Sequence, residues 1–472
     1  MNESVLTPAN VNTAKFGLHF SIPVDGQIYA QPLYIANLNI GGQLHNTVFV
    51  ATEHDSVYAF DADDPSGILL WHTSFINPAA GITTVPSTDV TCTDLIPEIG
   101  ITSTPVIDPN SRTLYVVAKT KENGSYFHHL HALDLATGTE KVPPVMIQGG
   151  VPGNGGTVIF DPFLQHQRTA LLLSDGVLYF GFASHCDNGP YHGWMFAYDA
   201  QTLNQRAIFN TTPNGSLGGI WQSGGGPAAD ASGNVFVMTG NGTFDGLGSH
   251  DFGDSFLKLT SGALTLSDFF TPFNQATLEA NDADLGSGSP LLLPNQSVGP
   301  LHLLVGAGKE GTIYLLNRDN MGKFQAGSDN QIVQSLPNAL GSLFSTPAYF
   351  QHTVYFVAAN DVLKACSLNN GRLSVLPVQG STTFGFPGAT PVISANGAAN
   401  AIVWALQTDQ FGANGPAVLH AYLASNVSIE LYNSTANPND NLGPAVKFAV
   451  PSVANGKVYV GTQAELSVFG LR

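Results

Sequence analysis

Short apolar runs, separated by polar turns, recur along the whole chain. Runs such as Thr47-Val48-Phe49-Val50, Leu114-Tyr115-Val116-Val117 and Val177-Leu178-Tyr179-Phe180 are too short for helices and rich in β-branched and aromatic residues. The same pattern returns at Val235-Phe236-Val237-Met238, Val354-Tyr355-Phe356-Val357 and Val458-Tyr459-Val460. Each run predicts a strand. A second signal follows several of them, an Ala-aromatic-Asp ending, at Ala59-Phe60-Asp61 and Ala197-Tyr198-Asp199, and with Leu in the middle at Ala132-Leu133-Asp134. Looser copies stand at Leu315-Leu316-Asn317 and Ala365-Cys366-Ser367. The turn after Asp134 reads Asp-x-x-Thr-Gly, with Asp capping through its side chain and Gly138 supplying positive φ.

Ahead of the apolar runs lies a third element, small residues followed by proline. It reads Ala30-Gln31-Pro32-Leu33, Ser103-Thr104-Pro105-Val106, Gly225-Gly226-Pro227-Ala228 and Gly288-Ser289-Pro290-Leu291. Further copies are Ser345-Thr346-Pro347-Ala348, Ala389-Thr390-Pro391-Val392 and Ala449-Val450-Pro451-Ser452. Small residues suit a place where strands converge, and proline suits a strand edge with few donors to satisfy. With Thr169-Ala170-Leu171-Leu172 serving for the third unit, the count is eight. The units recur at roughly sixty residues, longer than the minimum for four strands. The pattern predicts an all-β, eight-bladed β-propeller of four-stranded antiparallel blades, a single domain over 1–472. The last unit stops after Leu466-Ser467-Val468-Phe469 without an outer strand, whereas Lys15-Phe16-Gly17-Leu18-His19-Phe20 precedes the first unit as an orphan. Residues 14–26 are therefore expected to complete the last blade and close the ring, with 1–13 as an N-terminal extension. An open pair of β-domains is the alternative.

Composition narrows the function classes. Sixteen basic against thirty-four acidic residues give a net charge of −18, the wrong sign for nucleic acid or anionic lipid. Charged residues make up only 11%, while Gly (51) and Pro (29) are abundant, as in loop-rich β proteins. No apolar run is long enough to span a bilayer, and Met1 to Asn10 shows no signal-peptide pattern, which fits a cytosolic chain or one whose leader has been removed. Cys92, Cys186 and Cys366 form no CxxC or CxxCH, which argues against a zinc ribbon or attached haem. His129 and His131 would share a strand face and could ligate a metal, but ordinary hydrogen-bonded histidines are expected there and at His128. Glu53-His54-Asp55 could face the axis, and Asn-x-Ser/Thr triplets such as Asn210-Thr211-Thr212 are weak glycosylation signals.

The Ala-aromatic-Asp and Thr-Gly repeat resembles that of the pyrroloquinoline-quinone (PQQ) dehydrogenases, over nearly the whole chain. The resemblance implies a PQQ- and calcium-dependent oxidation of an alcohol or sugar. It makes Asn241, in Met238-Thr239-Gly240-Asn241-Gly242, a calcium ligand, and Trp221, in Gly219-Ile220-Trp221, the floor under the quinone. It makes Asp284, in Asp282-Ala283-Asp284-Leu285-Gly286, the catalytic base and a metal ligand, and Lys309 a quinone contact. In Ser184-His185-Cys186-Asp187-Asn188-Gly189 the family's calcium-binding Glu falls opposite Asn188, a departure that Asp187 could compensate. His185, Cys186 and Asp187 could instead form a transition-metal site. A second departure is that the family's adjacent cysteine pair is reduced to Cys92, and its nearby arginine is missing. Cys92 could pair with Cys186 if their Cα atoms come within about 7 Å. The family implies a small-molecule substrate, a separate electron acceptor and a periplasmic or secreted location. Two rival functions stand beside it: a non-catalytic secreted or periplasmic binding propeller that has lost the cofactor, and a hydrolase or lyase using axial acids and histidines.

Overall fold

The computed structural model describes residues 2–248 and 250–472. The described residues form eight blades around one axis, each built on four antiparallel strands. The first blade runs Leu33–Ile40, Gln43–Ala51, Ser56–Asp61 and Leu69–Ser74 in spatial as in chain order. The closing strand, Phe16–Pro23, pairs antiparallel with Glu465–Leu471, with Phe16 opposite Leu471 and Pro23 opposite Glu465. Both chain ends thus share the eighth blade. The Phe16 ring fixes this closure by packing against Tyr432 at 4.9 Å, Trp404 at 5.5 Å and Phe469 at 6.1 Å.

Each of the seven repeat prolines sits one residue before the ladder begins. First strands start at Leu33, Val106, Ala228, Leu291, Ala348, Val392 and Ser452, immediately after Pro32, Pro105, Pro227, Pro290, Pro347, Pro391 and Pro451. The sequence pattern places these prolines within edge strands. The structure moves them just outside, where a missing N–H costs no ladder bond. The preceding small residues crowd the axis. A Cβ on Gly225 would fall 1.8 Å from Thr346 Oγ1 and 2.7 Å from Ser289 Oγ, so side chains from neighbouring blades plug the centre.

Blades are stitched by a repeated device. An indole or phenol on one blade donates to a turn carbonyl of the next: Trp71 Nε1 to Leu135 O, Tyr115 Oη to Ala200 O and Tyr355 Oη to Ala424 O, each at 2.8 Å. The first two acceptors directly follow Asp134 and Asp199, the ends of the repeat motif. The Asp134 carboxylate accepts from Ala136 N, and Gly138 has φ +68°, as the turn chemistry requires. No helix among the described residues is long and apolar enough to cross a membrane.

Of the segments that leave this frame, three bear on the site. Strands Ile82–Pro86 and Glu98–Ile99 extend the second blade, and Gln165–Gln167 adds to the third. A short helix, Gln275–Ala280, precedes the fifth blade. All three contribute residues at or beside one end of the axis.

Candidate functional site

A cavity of about 720 Å³, counted out to its mouth, opens on the axis. Every blade supplies part of its wall. A simple register explains much of the lining. In five of the eight units the residue just before the small-residue motif lines the cavity: Tyr29, Arg168, Ser287, Phe344 and Phe448. The loops above add Trp221, Asp284, Lys309, Asp187 and Lys447.

Asp284 is the best-defined group in it. It is 3% exposed, and its Oδ1 accepts from the Asn241 backbone N–H at 2.7 Å. Its Oδ2 lies 2.6 Å from Lys309 Nζ, which also reaches Asp282 Oδ1 at 2.7 Å. Burial lifts the Asp284 carboxyl to about 6, while Lys309 and the Asn241 N–H hold it back from rising further. Burial opposes the charge on Lys309, but Asp284 and Asp282 more than offset this and raise its pKa. Close backbone approach makes the arrangement possible. A Cβ on Gly240 would stand 2.1 Å from Asp284 Oδ1 and 2.9 Å from Trp221 Cδ1, and one on Gly308 would meet Asp284 O at 2.4 Å.

Asn241 is held by its amide. Nδ2 donates to Asp282 Oδ1 at 2.8 Å, which leaves Oδ1 buried and without a donor. Glu279 accepts from Gly242 N, and Asp254 accepts from Leu285 N at 3.1 Å, so further carboxylates surround the same loop. An orphaned amide oxygen on a loop whose neighbours are carboxylates offers a hard cation oxygen donors, although the Lys309 ammonium already occupies part of that space. Trp221 is half-buried in the cavity wall with its Nε1 unpartnered, and Tyr191 packs edge-on to it at 6.5 Å.

The structure separates the two third-blade residues proposed for metal. Asp187 lines the cavity mouth and accepts from Tyr191 Oη at 2.5 Å. Asn188 does not reach this cavity. Its amide donates to Val90 O at 2.9 Å and it lines a separate pocket with Thr91 and His185. The transition-metal alternative at His185, Cys186 and Asp187 is also undone. Cys186 is bonded to Cys92, with Cα atoms 5.6 Å apart, and His185 Nε2 is turned to Lys119 Nζ at 2.7 Å. The disulfide ties the second-blade excursion to the third blade, and Cys186 lines the axial cavity. His131 is paired with Glu140 at 2.6 Å, His129 lies 3.6 Å from Glu122, and His128 contacts Gln165 O at 3.1 Å, as expected of ordinary histidines.

Sequence reasoning missed Arg168, Lys447 and His166. Only Arg168 carried a signal, its place on the register just described; His166 and Lys447 stand off that register. Glu53, expected near the axis, is 1% exposed. Gly100 N donates to its Oε2 at 2.8 Å, Oε1 has no partner, and burial lifts the carboxyl to about 7.

Comparison with known proteins agrees with the fold. No protein-family model matches the chain, and no curated protein does either. Among solved structures it is similar to a europium-containing methanol dehydrogenase, with TM-score 0.62 and 13% identity over 100% of this chain and 95% of the other. It is similar to a quinohemoprotein alcohol dehydrogenase from Pseudomonas putida HK5, with TM-score 0.60 and 14% identity over 100% of this chain and 78% of the other. It is also similar to BamB from Moraxella catarrhalis, with TM-score 0.55 and 14% identity over 96% of this chain and 99% of the other. At such identities the likeness establishes the propeller alone.

Proposed function

We propose that the chain is a quinoprotein-like oxidoreductase acting on an alcohol or sugar with PQQ and calcium. The observation that carries this reading is Asp284, a buried carboxylate on the cavity wall beside Trp221, held by Asn241 N and Lys309. A carboxyl near 6 is mostly ionised at neutral pH yet basic enough to accept a hydroxyl proton. Asn241 Oδ1, Asp284 and Asp187 would hold the metal. Asn188 is not needed in that set. Trp221 would support the flat face of the quinone, and the Lys309 ammonium would face its oxygens. A bound quinone would supply the two-electron acceptor that no side chain provides, and a bound metal the positive charge that makes it a better one. Asp284 takes the substrate proton at a carboxylate oxygen, and Lys309 keeps that oxygen oriented. Reducing equivalents then pass to a separate acceptor. A periplasmic or secreted location is part of the same reading.

The Cys92–Cys186 disulfide supports it as well, because it brings a cystine to the cavity wall without the family's adjacent pair. A second reading, a binding propeller without chemistry, is favoured by one observation. The Lys309 ammonium already pairs with both Asp284 and Asp282, so their charge is partly compensated with no ligand.

Titration with PQQ, with and without calcium, followed by absorbance and calorimetry, separates the two. Saturable, calcium-dependent binding that is lost in Asn241→Ala and Asp284→Ala is the expected result, followed by alcohol- or sugar-dependent reduction of an artificial acceptor. Absence of binding at high quinone concentration refutes the oxidoreductase reading.

A further inference from the structure

The cavity has a second half that the chemistry at Asp284 does not use. In a chain of net charge −18, three basic residues, Arg168, Lys309 and Lys447, line this one cavity. Their partners differ. Lys309 already has two carboxylate partners, Asp282 and Asp284. Lys447 has one partner, Asp94 Oδ1 at 3.1 Å, whose side chain is half exposed. Arg168 forms no ion pair with any described residue, and its Nη2 is inaccessible to solvent and without an acceptor. Tyr29, Asp94, Glu53, His166 and Lys447 are the charged or titratable groups near it, and no carboxylate stands within ion-pair distance. Glu53 Oε1 is likewise buried and unpartnered.

A guanidinium is the donor least suited to being left without acceptors, because its fork presents fixed N–H directions that a planar carboxylate fills two at a time. Its position is set by packing. The Arg168 guanidinium lies 4.5 Å over the Phe448 ring, and Lys447 Nζ stands 5.4 Å from the Phe411 ring and 5.7 Å from Phe448. Phe386 touches Phe344 at 5.0 Å and both Phe411 and Phe448 at 6.0 Å, so the two cations stand on an aromatic wall.

We infer that Arg168 and Lys447 form an anion subsite that grips a carboxylate of the ligand, with the aromatic wall taking its apolar body. The cavity then has two ends: an acid–base end at Asp284 and Lys309, and a carboxylate-binding end at Arg168 and Lys447. The inference deepens the proposed function, on which it rests for the chemistry but not for the binding. The carboxylate has two sources, an acidic substrate or the carboxylates of the quinone itself.

The test uses three probes on the full-length chain by calorimetry: PQQ, uncharged 9,10-phenanthrenequinone, and benzene-1,3-dicarboxylate. The variants are Arg168→Gln, Arg168→Lys and Lys447→Gln, with exposed Lys15→Gln as control and circular dichroism to confirm folding. The diacid is expected to bind the wild type and the control, and to bind Arg168→Gln about ten- to a hundredfold more weakly, the range for a lost charge-assisted pair. Arg168→Lys should recover only part of the loss. Competition between diacid and PQQ, with phenanthrenequinone unaffected by Arg168→Gln, assigns the subsite to the quinone. Simultaneous binding assigns it to an acidic substrate. Diacid binding without PQQ binding supports the subsite and overturns the quinone. PQQ binding unchanged in Arg168→Gln and Lys447→Gln, with no diacid binding, supports the quinone and overturns the subsite. Should Arg168→Gln not fold, Lys447→Gln alone decides, because its partner Asp94 is partly solvated and the loss strains nothing.

Discussion

Replacing Glu53 by Gln should change how the stability of the propeller depends on pH. Glu53 is fully enclosed near the axis. Its Oε2 accepts from Gly100 N, Oε1 accepts nothing, and burial lifts the carboxyl from an ordinary 4.5 to about 7. Between those values the folded chain keeps this proton while the unfolded chain releases it, so stability falls as pH rises through the window. At about 1.4 kcal/mol per pH unit, the full effect is about 3 kcal/mol. Gln keeps an acceptor for Gly100 N and carries no charge, so the variant lacks this dependence. Asp55, buried beside it and also raised by burial, feels the Glu53 charge as well, which acts in the same direction. Urea denaturation of both proteins at pH 4.5, 6 and 7.5 measures the effect. The wild type should lose about 3 kcal/mol relative to Glu53→Gln between the lowest and highest pH. Parallel pH profiles would refute the argument, for they would mean that water or a counter-ion solvates the carboxylate in the folded state.

Two further predictions follow from the fold. Cys186→Ser opens the link to Cys92, which spans 94 residues, and should cost about 2–5 kcal/mol in the same denaturation assay. A loss below about 0.5 kcal/mol would show that the second-blade excursion is held by packing alone. Phe16→Ala removes the ring wedged among Trp404, Tyr432 and Phe469 and should cost about 3–5 kcal/mol, with hydrogen exchange rising first in Glu465–Leu471. Exchange that rises uniformly would argue against the closing strand as the weakest seam.

The scaffold was legible because it repeats. Ala59-Phe60-Asp61 and its copies fix where the third strand ends, and the small-residue-proline motif marks each first strand to within one residue. The closing strand was readable from an arithmetic mismatch, an unpartnered apolar segment at one end and a missing strand at the other. Of the residues the family resemblance singled out, Trp221, Asp284 and Lys309 line one cavity, and Asn241 N donates to Asp284 beside it. What the repeat left open was local. In Asp187-Asn188 two adjacent residues point to different pockets, and sequence alone does not say which way a turn with φ +52° at Asp187 sends its side chains. The Cys92–Cys186 link required the second-blade excursion to fold over the third blade, a contact between parts of the chain that share no pattern. Arg168 was overlooked because the register one step before the motif gains meaning only once those positions are seen to line one cavity.

The register that lines the cavity has an evolutionary corollary. Tyr29, Arg168, Ser287, Phe344 and Phe448 each stand one step before a conserved-geometry motif, on separate blades whose hydrogen-bonded ladders begin only after the following proline or its equivalent. A substitution at any of these positions alters the ligand surface and leaves every ladder intact. Apart from Arg168 and Phe448, which stack on one another, the ring therefore behaves as a set of side chains facing a common space that can be exchanged one blade at a time while the scaffold's stability stays nearly constant.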